Sequence, residues 1–405
     1  MGDANAQPAG DRMLGASDWD GLSDRVRDMA SLVFGPDVPD TALHRAEGTR
    51  YLLRFLAAGI LDCVEYMDPH DPEFVRFIDP RTSWGLDNPD CNYHLCGIDP
   101  AGTYRIWGDP GRALALELQV NTGHFADGRA MDWRCVSTVS GPDLVRGPDG
   151  SIELTVGPEP VAGSGPHVHH LRTEPDAGYV FLRQYFGDWS ARPATLCVER
   201  LDTMLPPPPR AESEMADRLD LLMTWLTAGA RCWWDWGRAL ADGAPGPIRP
   251  FLPPASATGL TGQAYGMGGY RCAPDEAVVL EVRPPDCAYW GVQLATWFWE
   301  TASVGSRQIS LNHTQAVVDA DGVARLVIAQ RDPGVANWLD AAGYERGTVA
   351  VRYLFADDLP EVAYRAVPLG RLLDELPVGT ERTDPGRRDR ELRDRRAVLQ
   401  RRLGR

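Results

Sequence analysis

Two stretches of this chain repeat each other in the same order and at nearly the same offset. Asp149-Gly150-Ser-Ile-Glu-Leu154-Thr-Val156 is matched 172 residues later by Asp321-Gly322-Val-Ala-Arg-Leu326-Val-Ile328. Leu182-Arg183-Gln-Tyr-Phe186-Gly-Asp188 is matched 169 residues later by Val351-Arg352-Tyr-Leu-Phe355-Ala-Asp357. Two weaker matches flank these: Leu116 to Gln119 against Val292 to Leu294, and Thr195 to Arg200 against Val362 to Arg365. Each Asp-Gly pair reads as a tight turn feeding an alternating strand. A mainly β chain with helices (α+β), built as two tandem β-rich units, satisfies all four matches.

The rest of the chain divides around those units. Residues 1–17 are polar and Gly/Ala-rich and read as a disordered tail. Residues 18–72 hold helices over 18–34 and 40–67, the second with Leu43, Tyr51, Phe55, Ala58 and Leu61 at helical spacing. The first β unit spans 73–205. Pro206 to Pro209 form a stiff break, and a helix over Glu212 to Ala241 completes the link at 206–245. The second unit spans 246–375. Its residues 243–275 look loop-rich, and its strands fall in 276–372. The Arg-rich end, 376–405, reads as a solvated helix from Glu381 onward.

Composition narrows the function. The net charge is −16 and the pI about 5.0, which excludes a phosphate-backbone partner. No apolar run is long enough for a membrane span, and no basic-then-apolar start is seen, so a cytoplasmic location is expected. The eight cysteines lack zinc or disulfide spacing and read as thiols. The sequence contains no lysine, which excludes Schiff-base, pyridoxal and Walker-type lysine chemistry.

Several segments together resemble a bacterial family of unknown function. They are Asp87-Asn88-Pro89-Asp90-Cys-Asn-Tyr93-His94 through Asp99, Gly102-Thr-Tyr104-Arg105-Ile-Trp-Gly108, Arg183 to Trp189, Glu199-Arg200, Asn337-Trp338-Leu339 and Arg352-Tyr353. The resemblance covers residues 84–372 and points to the domain-of-unknown-function family "twelve-fourteen", related to "twelve fifty-four". It implies two jelly-roll-like β-sandwiches with helices beside them. It implies no chemistry.

Four places in the sequence suit chemistry. Asp90, Tyr93 and His94 fall where a turn enters a strand: either Asx-turn structure, or a general base (Asp90 or His94) with a phenol donor. Arg183 is a mid-strand arginine that either snorkels outward or grips a carboxylate or carbonyl, and the mirror residue Arg352 favours a scaffold role. Glu300 follows Trp297-Phe298-Trp299, and a carboxyl among indoles titrates high and can act as an acid. His167 and His169, with Glu174 beyond, resemble half of a cupin metal motif, and Glu117 or His124 would add a donor. The second unit has Asn337-Trp338 where the first has His169-His170, so the histidines lie in the asymmetric part of the repeat.

Trp225, Trp234, Trp297 and Trp299 would line an aromatic cavity for a small, largely apolar molecule. The leading expectation is therefore a cofactor-free acid–base enzyme of lyase, hydrolase or isomerase type, acting on a lipid, terpenoid, steroid or aromatic substrate. A divalent-metal, cupin-like enzyme and a non-enzymatic carbohydrate or hydrophobic-ligand binding protein are the alternatives. The aromatic strand 288–299 would serve as cavity wall or as a homo-oligomer contact.

Overall fold

The computed structural model describes residues 13–129, 132–141, 143–204, 206, 209–254, 257 and 259–404. The expected disordered tail thus lies mostly outside the described residues. The first unit contains β1 (Val75–Ile78), β2 (Cys91–Gly97), β3 (Tyr104–Asp109), β4 (Ala115–Thr122), β5 (Cys135–Ser140), β6 (Ile152–Gly157), β7 (Val168–Arg172), β8 (Ala177–Tyr185) and β9 (Thr195–Arg200). The second contains β10 (Gln263–Arg271), β11 (Glu276–Val282), β12 (Tyr289–Ala295), β13 (Ser310–Asn312), β14 (Ala324–Ala329), β15 (Trp338–Asp340), β16 (Arg346–Leu354) and β17 (Ala363–Pro368).

The sheet orders make the duplication explicit. The first unit pairs a β1-β2-β8-β4-β5 sheet with a β7-β6-β3-β9 sheet. The second pairs β10-β16-β12-β13 with β15-β14-β11-β17. Strand for strand, β2 to β9 recur as β10 to β17, down to one parallel pair in each unit, β6 with β7 and β14 with β15. The two Asp-Gly turns fall at equivalent places, before β6 and before β14, with Gly150 and Gly322 both at positive φ. The protein is two tandem β-sandwiches with added helices.

Alternation along the strands fixes what each sandwich buries. Leu118, Val120, Ile106, Leu154, Val180 and Leu182 fill the first interior. Leu280, Leu326, Ile328, Val292, Val349 and Val351 fill the second. The intervening residues of β8, β4, β16 and β12 therefore point out of the sandwiches. There the β1-β2-β8-β4-β5 and β10-β16-β12-β13 sheets meet.

Strand β10 lies in a stretch expected to be loop. Its glycines, Gly266, Gly268 and Gly269, read as breakers, but they let other backbone pass close by. A Cβ on Gly269 would stand 2.5 Å from the carbonyl oxygen of Leu240.

The helices sit against one end of both units. They are α1 (Ala16–Asp28), α2 (Ser31–Phe34), α3 (Ala42–Gly59), α4 (Glu212–Thr224) and α5 (Ala230–Asp242). A wide-turn segment, Ile60–Glu65, continues α3, and another, Trp225–Gly229, joins α4 to α5. Phe55 stacks on Trp225 at 4.1 Å, and the Trp225 indole N–H donates to the Phe55 carbonyl at 2.8 Å. Gly59 permits this contact, since a Cβ there would lie 2.2 Å from the Trp225 ring. Among the described residues, no helix is long and apolar enough to cross a membrane.

The C-terminal segment overturns the expectation of a solvated helix. After a short α6 (Leu372–Glu375), α7 (Pro385–Arg402) places Arg388, Arg395 and Arg402 seven residues apart on one face. Arg388 donates to Asp332, to Gln308 and, at 2.6 Å, to the Val335 carbonyl. Arg395 donates to Val304 and Ser310 of the second unit and lies 4.3 Å over Trp189 of the first. Arg402 donates to the Pro89 carbonyl and packs over Phe186 and Trp189. The helix is a strap across both sandwiches. Interleaved acids made it look solvated; the heptad spacing of three arginines is what buries it.

Arg388→Ala should lower unfolding free energy by about 3 kcal/mol, because it strands Asp332 and Gln308 in a partly buried network. Arg393→Ala, an exposed pair with Asp389, should change it by less than about 0.5 kcal/mol. Urea titrations of the two variants test this; equal effects would mean that α7 is not docked through its arginine face.

Candidate functional site

The seam between the sandwiches is a buried polar layer, which is unusual where two sheets could have met with apolar faces. Its centre is a duplicated pair. Arg183 on β8 donates to Gln119 on β4 at 2.9 Å, and Arg352 on β16 donates to Gln293 on β12 at 2.5 Å. Arg183 also lies 4.0 Å over the Phe181 ring. Arg352 reaches the Leu86 carbonyl at 2.8 Å. Desolvation pulls the Arg352 guanidinium down, but Tyr185, Tyr93, Tyr289 and Tyr265 around it more than offset this and leave it above its ordinary value. Across the seam, Tyr185 donates to Gln263 at 2.5 Å. Leu86 and Trp299, both non-glycine residues at positive φ, bond to each other here through backbone at 2.7 Å.

Asp90 is the main cross-link. One carboxylate oxygen accepts from the Trp189 indole at 2.5 Å and the Asn312 amide at 3.0 Å, and the other accepts from the Tyr289 hydroxyl at 2.6 Å. Tyr289 and Asn312 belong to the second unit, so a single buried carboxylate holds both sandwiches. Its acceptor capacity is committed to structure.

The other sequence-predicted residues separate. Tyr93 lies in the seam beside Arg352, stacked 6.0 Å from Phe181 and accepting from the Asn88 N–H. His94 follows it on the strand and therefore faces the interior of the first sandwich. Burial, with the Arg76 charge, pushes its imidazole down to about 3. Asp90, Tyr93 and His94 thus do not form one cluster. Glu300 is fully buried and pairs with Arg54 of α3 at 3.1 Å, leaving its other oxygen without a partner. Burial pushes this carboxyl up to about 8, against the pull of Arg54.

The four tryptophans are core. Trp225 stacks on Phe55, and Trp234 donates to the Leu32 carbonyl. Trp297 lies under Arg346 at 4.3 Å, and Trp299 stacks 6.1 Å from Trp233. All four are within 5% of complete burial. The histidine motif does not converge either. His167 is exposed before β7, the His169 Nε2 accepts from the Val145 N–H at 2.6 Å, and Glu174 is taken by Arg134 at 2.7 Å. His169 and Glu174 are thus tied to separate partners, Val145 and Arg134.

A cleft of about 930 Å³ opens at the edge of the seam, between the units. Asp109, Arg112, Glu117, Arg146 and Arg192 line its first-unit side, and Thr261 and Phe355 its second. Glu117 is buried at its floor, where it accepts from Thr138, from the Thr261 hydroxyl at 2.5 Å and from the Thr261 N–H. Asp109 is neutralised by Arg192. Asp149 turns its carboxylate onto Ser151 at 2.6 Å. Arg112 and Arg146 have no ion-pair partner among the described residues. Nothing in the sequence marks these two arginines, since each is a lone loop residue that only the meeting of two units brings to one cleft.

No family model matches this chain, and no curated protein matches it. Among solved structures, the chain is similar to an uncharacterized protein from Burkholderia cenocepacia, with a TM-score of 0.80 and 29% identity over 88% of this chain and 98% of that one. It also aligns with the VPA0106 protein from Vibrio parahaemolyticus, at a TM-score of 0.46 and 11% identity over 85% of this chain and 100% of that one. The first likeness carries the two-sandwich fold.

Two outcomes test the seam. Asp90→Ala leaves three donors without an acceptor and should cost about 3–5 kcal/mol of stability, whereas Tyr289→Phe should cost about 1 kcal/mol. Similar losses in urea titrations would contradict a shared acceptor. Glu300 has a folded pKa raised above its ordinary 4.5, to about 8. The stability it contributes is therefore complete below about 4.5 and is lost as pH rises through about 8. Wild type should lose stability across that window relative to Glu300→Gln; parallel pH profiles would remove Glu300 as the source.

Proposed function

We propose that this protein binds a small, anionic, hydrogen-bonding molecule in the cleft between its two sandwiches. One observation carries the reading: a chain of net charge −16 presents Arg112 and Arg146, neither in an ion pair among the described residues, in a roomy cleft whose acids Asp109, Glu117 and Asp149 already have partners. Guanidinium groups in that setting suit carboxylate or phosphate. Around them the wall is mixed: Ser140, Gly141, Gly150, Ser151 and Thr261 are polar or small, and Leu114, Leu116, Leu144, Leu260 and Phe355 are apolar. The polar part of that wall suits hydroxyl-bearing ligands. The four tryptophans that an apolar ligand would need are buried in the core. The reading is one of recognition, nearest to the carbohydrate-binding alternative, with an acidic sugar or sugar phosphate as the fitting class.

We also infer membership of the tandem-sandwich family that the sequence motifs resemble. In its support, Asn88 to Tyr93, Arg183 to Trp189 and Arg352 all gather at the seam, as motifs kept for one structural purpose would.

Calorimetric and thermal-shift titration with inorganic phosphate, a sugar phosphate, a uronic acid and the matching neutral sugars tests the cleft. The anions should bind and raise the melting temperature, with affinity falling as salt rises. Arg112→Ala with Arg146→Ala should weaken binding by tenfold or more, which is about 1.4 kcal/mol. Neutral sugars binding equally well, or anion affinity unchanged in the double variant, would overturn the proposal.

A further inference from the structure

The helix α3 ends in the wide turn Ile60–Glu65, whose hydrogen bonds span five residues instead of four. Such turns recur at functional sites because they shift side chains out of helical register. Here two adjacent residues, Asp62 and Cys63, both enter the core, 0% and 1% exposed. His124 stands against them, at the cap of the short helix Phe125–Asp127. A carboxylate oxygen of Asp62, the Cys63 sulfur and a ring nitrogen of His124 all lie within 4.8 Å of one another. No hydrogen bond ties them together: both Asp62 oxygens and His124 Nε2 are buried without a partner. Asn121, three residues before His124, faces Tyr179 in the β4–β8 ladder, and its amide is buried beside the Tyr179 hydroxyl.

We propose that Asp62, Cys63 and His124 are ligands for one divalent transition-metal ion of the zinc type. A buried carboxylate with neither hydrogen bond nor counter-ion is costly, and a cation among three converging donors removes that cost. Oxygen, sulfur and imidazole nitrogen together suit zinc or cobalt, not the all-oxygen shells of calcium or magnesium. The spacing also fits, because donors around a shared ion sit within a few ångströms of each other without bonding directly. His124 sets a condition. Its Nδ1 accepts from the Ala126 N–H at 3.0 Å, so the neutral metal-free ring carries its proton on Nε2. Metal at Nε2 sends that proton to Nδ1 and gives up the cap, a single hydrogen bond set against coordination by a thiolate and a carboxylate. The Cys63 thiol proton leaves to solvent as the sulfur–metal bond forms. This site is separate from the inter-sandwich cleft, and neither reading depends on the other.

The test is to refold the full chain with zinc, or with cobalt, remove excess metal and measure metal per chain and the cobalt spectrum. One ion per chain is expected, with a thiolate-to-cobalt charge-transfer band. Both should be lost in Cys63→Ala and His124→Gln and kept in His167→Ala with His169→Ala. Retention of metal by Cys63→Ala would overturn the proposal. Should the core variants fail to fold, wild type alone decides. Folded wild-type protein that takes up no stoichiometric metal, or cobalt protein lacking the sulfur band, would mean that water fills the space instead.

Discussion

The two sandwiches depend on a carboxylate that neither could keep buried alone. Asp90 comes from the first unit, and two of its three donors, Tyr289 and Asn312, come from the second. A carboxylate in a dry interface is tolerated only when its lone pairs are occupied, so each unit completes the other's hydrogen bonding. Around it the duplicated Arg–Gln pairs repeat the same logic. Arg183 and Arg352 are satisfied by Gln119 and Gln293 on the neighbouring strand of their own sheet, and they present their charge to the seam. A polar interface of this kind specifies one docking geometry, since a slipped register would leave buried donors without acceptors.

The strap α7 extends that principle. Arg395 and Arg402 add positive charge near Asp90, although desolvation lowers both to about 10. Their flat guanidinium faces lie over Trp189 and Phe186. Arginine suits this work better than lysine would, because it is weakly hydrated and stacks. The layer of helices α1 to α5 is largely apolar and closes by ring packing around Trp225 and Trp84. Thus the core there leaves little room for an aromatic-lined cavity, and the cleft opens where the seam is polar.

Much of the fold was legible as pattern. The repeated Asp-Gly turns and the mirrored Arg183 and Arg352 announced two equivalent units, and strand alternation placed Arg183 and Tyr185 on one face. The scaffold role suggested by the mirror arginine agrees with the Gln119 and Gln293 contacts. Strand β10 was not legible, because glycines chosen for close backbone approach look the same as glycines chosen for turns. The candidate site was less so. His167, His169 and Glu174 had metal-like spacing, but Val145 and Arg134, distant in sequence, claim two of them. Asp62, Cys63 and His124 carried no motif, since a wide helical turn and a cap 60 residues away bring them together.

The sequence by itself determined what repeats locally: strand periodicity, turn chemistry and a tryptophan-bearing helix. These follow from interactions between near neighbours, which a linear pattern records. Only the tertiary structure decided which polar residues share a seam, which arginines are buried and where open space remains. Those outcomes depend on the partner that each side chain meets, and here the partners come from the opposite half of the chain.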